Sequence, residues 1–368
     1  MMTTFLPADP LVVSGWSAMS PYGLGAQPFI DGVREQRSAI TAAEPGTAGP
    51  FDRAGRIPEF DARTVLGRKG TRSMDRATAI AVATTAALLE SAGPGLTADH
   101  PEEIGMVLGT GHGSVQSIMD FTRDALAGDK PFHVDPARFP NTVMNRAAGQ
   151  SAIWHSIKGP NTTVAGGRLT CLLGLRYASR LLRQGHCAAV LCGAVEEFSV
   201  DRAWLEYRGW FAGSAPGQPA GPLGEGCALF LLEPAGRALA HGRMPLATIA
   251  AARFLAFSRI EGAQHAVARA VTEALKEADV PAGDVRLVVP SDLGGALGAR
   301  EEAALDEVLA GHTPRRQRLR LLLGDASAAS SAFQLAAALA LAAPGDTVLV
   351  TSVDPDGQAG CVVLRAGA

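Results

Sequence analysis

The sequence predicts an α/β fold, layered, and built from two halves of similar plan. Three observations carry this. Short apolar runs ending in glycine or serine recur along the chain, and many are apolar at consecutive positions, as strands buried on both faces are. Longer stretches with apolar residues at helical spacing lie between them. The same strand–helix–strand plan occurs on both sides of a changeover near "RALAHGRMP", residues 237–245. Residues 1–240 and 241–368 are therefore expected to form the two halves.

In the first half the predicted strands are "LVVSG" (11–15), "IGMVLGTG" (104–111), "TTVAGG" (162–167), "AAVLCGAVEEF" (188–198) and "GCALFLLEP" (226–234). "MDRATAIAVATTAALLESAG" (74–93) reads as a helix, ended by its glycine. In the second half the predicted strands are "ATIAAARFLAF" (247–257), "VRLVVPSD" (285–292), "LRLLLGD" (319–325), "DTVLVTSVD" (346–354) and "GCVVLRAG" (360–367). "QHAVARAVTEALKEADV" (264–280) carries charge on one face of a helix. "REEAALDEVLAG" (300–311) reads as a helix opening on acids, as the macrodipole prefers. "AFQLAAALALAAPG" (332–345) is too short to span a bilayer and is expected as a buried helix. "AAEPGTAGP" (42–50) and "AGSAPGQPAGPLGEG" (212–226) read as surface loops.

Composition narrows the function. A formal net charge of −3 and an aromatic content of 5% give no basis for nucleic-acid or anionic-membrane binding. Cys171, Cys187, Cys192, Cys227 and Cys361 are odd in number and lack CxxC or histidine spacing. Neither a disulfide framework nor a metal site is expected, and a reduced cytoplasm fits. The first residues, "MMTTFLPADPLVVSG", have no basic segment followed by an apolar core, so no signal peptide is expected.

Seven segments, in order, resemble the β-ketoacyl synthases. They are "VVSGWSAMSPYGLG", "SMDRATAIAVATTAALLESAG", "GMVLGTGHGS", "FPNTVMNRAAGQSAI", "KGPNTTVAGG", "AAVLCGAVEE" and "PLGEGCALFLLE". The resemblance implies a thiolase-like fold with α-β-α-β-α layers. It also implies where chemistry should sit. An active member has a nucleophilic cysteine at the turn after "KGPN" and two histidines for decarboxylation and oxyanion stabilisation. Here the cysteine position falls on Arg168, the first histidine on Ser291 of "SDLGG", and the lysine and second histidine of the KSxxGH-like stretch on Arg320 and Asp325. The glycine- and phenylalanine-rich loop is reduced to "VDPDG", 353–357.

These exchanges remove the chemistry. Arginine has no nucleophilic form and keeps its proton. Serine is no near-neutral acid or base, and aspartate is anionic where an oxyanion needs a donor. Cys171, three residues on, falls in the apolar series of Leu172, Leu175 and Ala178 and reads as a buried thiol. Asp325 precedes "ASAASSAFQL" and can cap that helix, or it can pair with Arg168.

Members without the cysteine resemble the chain-length factors of type II polyketide systems. The resemblance implies a catalytically silent subunit paired with an active ketosynthase and lining its acyl tunnel. The usual residue at the cysteine position there is glutamine, from which Arg168 departs. The short stretch after "EYRGW" and the missing insertion between "LALAAPG" and "DTVLV" look more like polyene-forming, reducing systems. By position, His112, Met119, Phe121, Val143 and Met144 are the tunnel residues, with Val115 and Ile118 beside them. No cofactor is expected on this chain. Its implied partners are the ketosynthase and an acyl carrier protein bearing phosphopantetheine, which the basic clusters Arg68, Lys69, Arg72 and Arg315, Arg316, Arg318, Arg320 could steer. Two alternatives stand beside this reading: an enzyme of altered chemistry, such as a malonyl-carrier decarboxylase using Arg168, and a homodimeric scaffold.

Overall fold

The structure is a computed structural model that describes residues 9–93, 95–98, 100–209 and 221–367. The first eight residues and most of the loop expected at 212–226 lie outside the described residues.

Among the described residues, ten strands form the path of one continuous sheet of two matching halves, and a two-residue strand, Gly23–Leu24, pairs beside β1. In the first half, β1 (Leu11–Ser20), β2 (Ile104–Gly109), β3 (Asn161–Val164), β4 (Ala189–Glu196) and β5 (Gly226–Pro234) lie in the order β3-β2-β4-β5-β1. In the second, β6 (Ala247–Ala256), β7 (Val285–Val289), β8 (Arg315–Arg316), β9 (Thr347–Asp354) and β10 (Gln358–Ala366) lie in the order β8-β7-β9-β10-β6. The directions repeat as well: the first three strands of each order are parallel and the last two pair antiparallel. The halves meet where β1 pairs with β6, at Val12 opposite Thr248 and Val13 opposite Ala247.

Helices complete five layers. α1 (Arg76–Ala92), α2 (Val115–Ala127), α3 (Arg146–Trp154), α4 (Thr170–Arg183), α5 (Ala263–Glu277), α6 (Gly295–Val308) and α7 (Ser330–Leu341) are the main ones. α1 and α3 cover the outer face of the first half-sheet, and α5 and α6 that of the second. α4 and α7 pack on each other between the half-sheets. β4 shows why its sequence is apolar as far as Val195. Val190, Cys192 and Ala194 face the central core with Leu172, Leu175 and Phe333. Ala189, Leu191 and Val195 face the outer core with Ile80 and Leu88 of α1. A strand of period two with both faces covered has no polar side to show. α7 is buried nearly all round for the same reason.

Two sequence expectations are corrected. "LRLLLGD" is not a strand: Arg320–Leu323 is one helical turn, and the edge strand is Arg315–Arg316 before it. Leu319, Leu322 and Leu323 are buried while Leu321 is 75% exposed, a helical rather than alternating pattern. α6 begins at Gly295, five residues earlier than expected, and has no acid in its first turn. Glu301 instead turns inward and is fully buried.

All five cysteines are free and buried. No helix among the described residues is long and apolar enough to cross a membrane.

Candidate functional site

The site lies where the two halves bring equivalent turns together in the central layer. One is the turn from β3 into α4, the other the turn that leads into α7. Gly167 has φ +55°, and a Cβ there would stand 2.1 Å from Asp354 Oδ2. Glycine is therefore required for this approach. It lets the backbone N–H of Arg168 donate to Asp354 Oδ2 at 2.8 Å. Thr170 Oγ1 donates back to the Gly167 carbonyl at 2.6 Å and fixes the turn.

Arg168 points inward and is 5% exposed. Its Nη2 donates to Asp325 Oδ2 at 2.6 Å, and its Nη1 lies 4.0 Å from Asp354 Oδ2. Of the two roles that the sequence left open for it, Asp325 takes the ion pair and does not cap α7, whose N-cap position is Ala329. While Oδ2 holds Arg168, Oδ1 accepts the Ser327 N–H at 2.9 Å, two residues on, within the turn ahead of α7. Burial pushes the Asp325 carboxyl up, but the Arg168 guanidinium beside it more than reverses this and holds it well below the usual carboxylate range. Burial likewise opposes the Arg168 charge, and Asp325, then Glu206, restore it and raise its pKa.

Further charged groups, which the sequence did not disclose, extend the cluster. Arg202 is buried and ties three segments together: Nη1 donates to the carbonyls of Glu197 (2.8 Å) and Gly224 (2.9 Å), and Nη2 to that of Asp325 (3.1 Å). Its Nε lies 3.8 Å from Glu206, also buried. Burial raises the Glu206 carboxyl against the pull of Arg202. Burial raises Glu196 to about 7, again against Arg202. The available signal was indirect: Glu196 and Glu197 end an otherwise apolar strand run, and unpaired acids are rarely placed there.

The other two altered positions are also committed or displaced. Ser291 Oγ donates to Glu301 Oε2, and its N–H donates to Glu301 Oε1 at 3.1 Å. Arg320 is half-buried, its N–H donates to Asp292 Oδ2 at 3.0 Å, and its Nε is buried without a partner. Arg168, Ser291, Arg320 and Asp325 together line a cavity of only about 20 Å³. That is room for about one water molecule, not for an acyl chain.

Cys171 is fully buried, its N–H donates to Ser331 Oγ at 3.1 Å, and burial raises its thiol well above the usual range. It is a packed thiol rather than a nucleophile.

The residues singled out by position for a tunnel gather elsewhere. Ser114 caps α2, so Val115, Ile118, Met119 and Phe121 lie on its first two turns and His112 just before it. Met119 and Phe121 are half-buried, and the Phe121 ring sits 6.1 Å from that of Phe139. Val143 and Met144 are exposed on the following loop, with Met144 against Gly113. His112 is exposed; its partial burial and then Arg202 lower its pKa. None of these residues lines the cavity at Arg168. Leu126, Phe132 and Phe139 nearby are also exposed, at 82%, 71% and 57%.

Comparison with known proteins finds relatives of one family. The family model described as "Beta-ketoacyl synthase, N-terminal domain" matches residues 8–238. The 3-oxoacyl-(acyl-carrier-protein) synthase 2 of Vibrio harveyi is 27% identical over 191 residues, 51% of this chain and 46% of that protein. The chain spans about half the length of the first curated relatives it matches. The putative polyketide beta-ketoacyl synthase 1 of Streptomyces virginiae is 27% identical over 375 residues, 93% of this chain and 87% of that protein. Among solved structures, the ishigamide ketosynthase/chain length factor superposes with a TM-score of 0.89 at 40% identity, covering 98% of this chain and 100% of that one.

Proposed function

The chain belongs to the β-ketoacyl synthase family, and on that premise we propose that it is a non-catalytic chain-length-factor subunit of a type II polyketide synthase. It pairs with an active ketosynthase, completes the tunnel for the growing acyl chain, and works on chains delivered by an acyl carrier protein. One observation carries the non-catalytic part: in the nucleophile's turn stands Arg168, buried and bonded to Asp325 at 2.6 Å. Condensation needs a thiolate at that point and donors for an oxyanion. The turn offers a cation already neutralised, and a serine bound to Glu301. The decarboxylase alternative loses its main support for the same reason, since the guanidinium that would hold a malonyl carboxylate already holds one of its own.

His112, Met119, Phe121, Val143 and Met144 serve as tunnel residues. Their place on an apolar face away from the filled centre supports this, because a face completed by a second subunit stays open in one chain. Arg68, Lys69 and Arg72 steer the acidic carrier protein. The system is a reducing, polyene-forming one, a reading supported by the short stretch after "EYRGW" and the missing insertion between "LALAAPG" and "DTVLV". Residues 1–240 and 241–368 act as the two halves of the fold.

Native mass spectrometry tests the reading, with the chain expressed alone and then with its ketosynthase. A one-to-one heterodimer is expected. A stable homodimer that ignores the ketosynthase overturns it in favour of the scaffold.

A further inference from the structure

α2 carries Met119 and Phe121, yet its own packing holds it weakly. Val115 is its one buried residue, and the side chains of the next two turns are half-buried or exposed. Arg123 pairs with Asp201 and Arg138 with Asp124, but both arginines are half exposed, and such pairs contribute little in water. The firm attachment is at the first turn, and it is made by a buried carboxylate. Glu197 follows directly on β4 and is 1% exposed. Its Oε1 accepts from Ser114 Oγ at 3.0 Å and from the Gln116 N–H at 3.2 Å. Its Oε2 accepts the Ala77 N–H of α1 at 3.2 Å.

One side chain thus joins the first turns of two helices, and the two differ in what else holds them. α1 is buried without a break from Ala77 to Thr85, and Asp75 caps it through the Thr78 N–H at 2.8 Å. Apolar packing keeps α1 in place whatever Glu197 does. α2 has no such packing, so its position relative to α1 depends on the shared carboxylate. The preceding residue holds the loop before α2 in the same way. Glu196 Oε2 accepts the Gly111 N–H at 3.3 Å, and a Cβ at Gly111 would stand 2.8 Å from that oxygen. The segment that carries His112 and opens α2 therefore hangs on two successive buried carboxylates.

We infer that Glu197 is a positioning residue for product length: by dividing its carboxylate between α1 and α2 it fixes Met119 and Phe121 against an acyl chain that it does not itself touch. The inference rests on the proposed tunnel and names the group that holds its wall in place. The chemistry of the side chain is specific to the task. A carboxylate accepts at both oxygens, whereas a glutamine amide has one acceptor and would turn its NH2 toward a second donor. Glu197→Gln must release one of the two helices, and α2 is the one free to move.

The test is the product-length distribution of the ketosynthase heterodimer carrying E197Q, S114A or L305A in this chain, beside wild type and F121A. Leu305 is buried in α6, in the outer layer of the other half, so L305A lowers stability without touching α2. E197Q should raise the fraction of chains of altered length roughly tenfold, the effect of losing one hydrogen bond to a charged group. S114A, which keeps the carboxylate and removes one of its donors, should raise it less. L305A should lower the yield and leave the distribution as in wild type. Wild-type distributions in E197Q and S114A, with F121A lengthening the product, overturn the role of Glu197 and leave the proposed function intact. An equal shift in L305A also overturns it, because loss of stability alone then accounts for the effect. If E197Q fails to pair with the ketosynthase, S114A against L305A decides by the same outcomes. An unchanged distribution in F121A rejects the tunnel and the role of Glu197 together, and absence of any wild-type heterodimer rejects the pairing as well.

Discussion

Nη2 of Arg168 meets Oδ2 of Asp325 at 2.6 Å, joining the turn into α4 to the equivalent turn into α7. The two residues belong to the equivalent turns that lead into α4 and α7, and they meet in the central layer. A cation at the start of α4 opposes the helix dipole. Asp325 and Asp354 offset that charge, and burial makes the offset obligatory.

Removing one partner should therefore cost far more than removing both. Asp325→Ala leaves a buried guanidinium short of its anion, and a loss of about 3–5 kcal/mol is expected. Arg168→Met combined with Asp325→Leu should recover most of it. Urea denaturation of the two single variants and the double variant measures the coupling.

Restoring the cysteine should not restore the reaction. In Arg168→Cys the new thiol faces the Asp325 carboxylate, which raises a thiol's pKa. Slow labelling by iodoacetamide at pH 7 and no condensation by the isolated chain are expected. Rapid labelling or turnover would show that the remaining groups still form an active site.

The tunnel assignment makes a prediction about products. Met119→Ala, Phe121→Ala and Met144→Ala, each paired with the ketosynthase, should lengthen the polyketide. They should alter the stability of the chain by no more than about 1–2 kcal/mol, since none is fully buried. Mass spectrometry of the products decides, and unchanged lengths across all three would reject the assignment.

Stability should respond to pH through Glu301. Burial lifts its carboxyl from 4.5 to about 7, so between these values the folded chain binds a proton that the unfolded chain has lost. Its stabilising contribution is complete below pH 4.5 and is lost as pH rises through 7. Glu301→Gln stays neutral throughout. Its melting temperature relative to wild type should thus rise between pH 5 and pH 8, by roughly 1–3 °C.

Much of the fold was legible because burial on both faces leaves a mark on composition. β4 and β9 are buried at every step and α7 on nearly every side, and β4 is accordingly apolar from Ala189 to Val195. Where burial is one-sided and short, the mark is ambiguous. "LRLLLGD" has the composition of a strand, and only the exposure of Leu321 distinguishes it from a helical turn. Arg168, Ser291, Arg320 and Asp325 were singled out because the family resemblance assigns them places, and the structure gathers all four at one small cavity. Glu206, Arg202 and Glu301 belong to no such pattern, and their spacing is that of ordinary surface residues.

The layered α/β plan in two halves and the arginine at the turn into α4 are readable along the chain itself. These depend on local periodicity and residue type, which the chain carries in order. Tertiary structure alone decided what fills the vacated centre. Arg168 and Asp325 are 157 positions apart, and Arg202 and Asp325 are 123 apart. Only the stacking of one half-sheet on the other brings such residues within bonding distance. Exclusion of water there then fixes their charges, which no local feature of the sequence records.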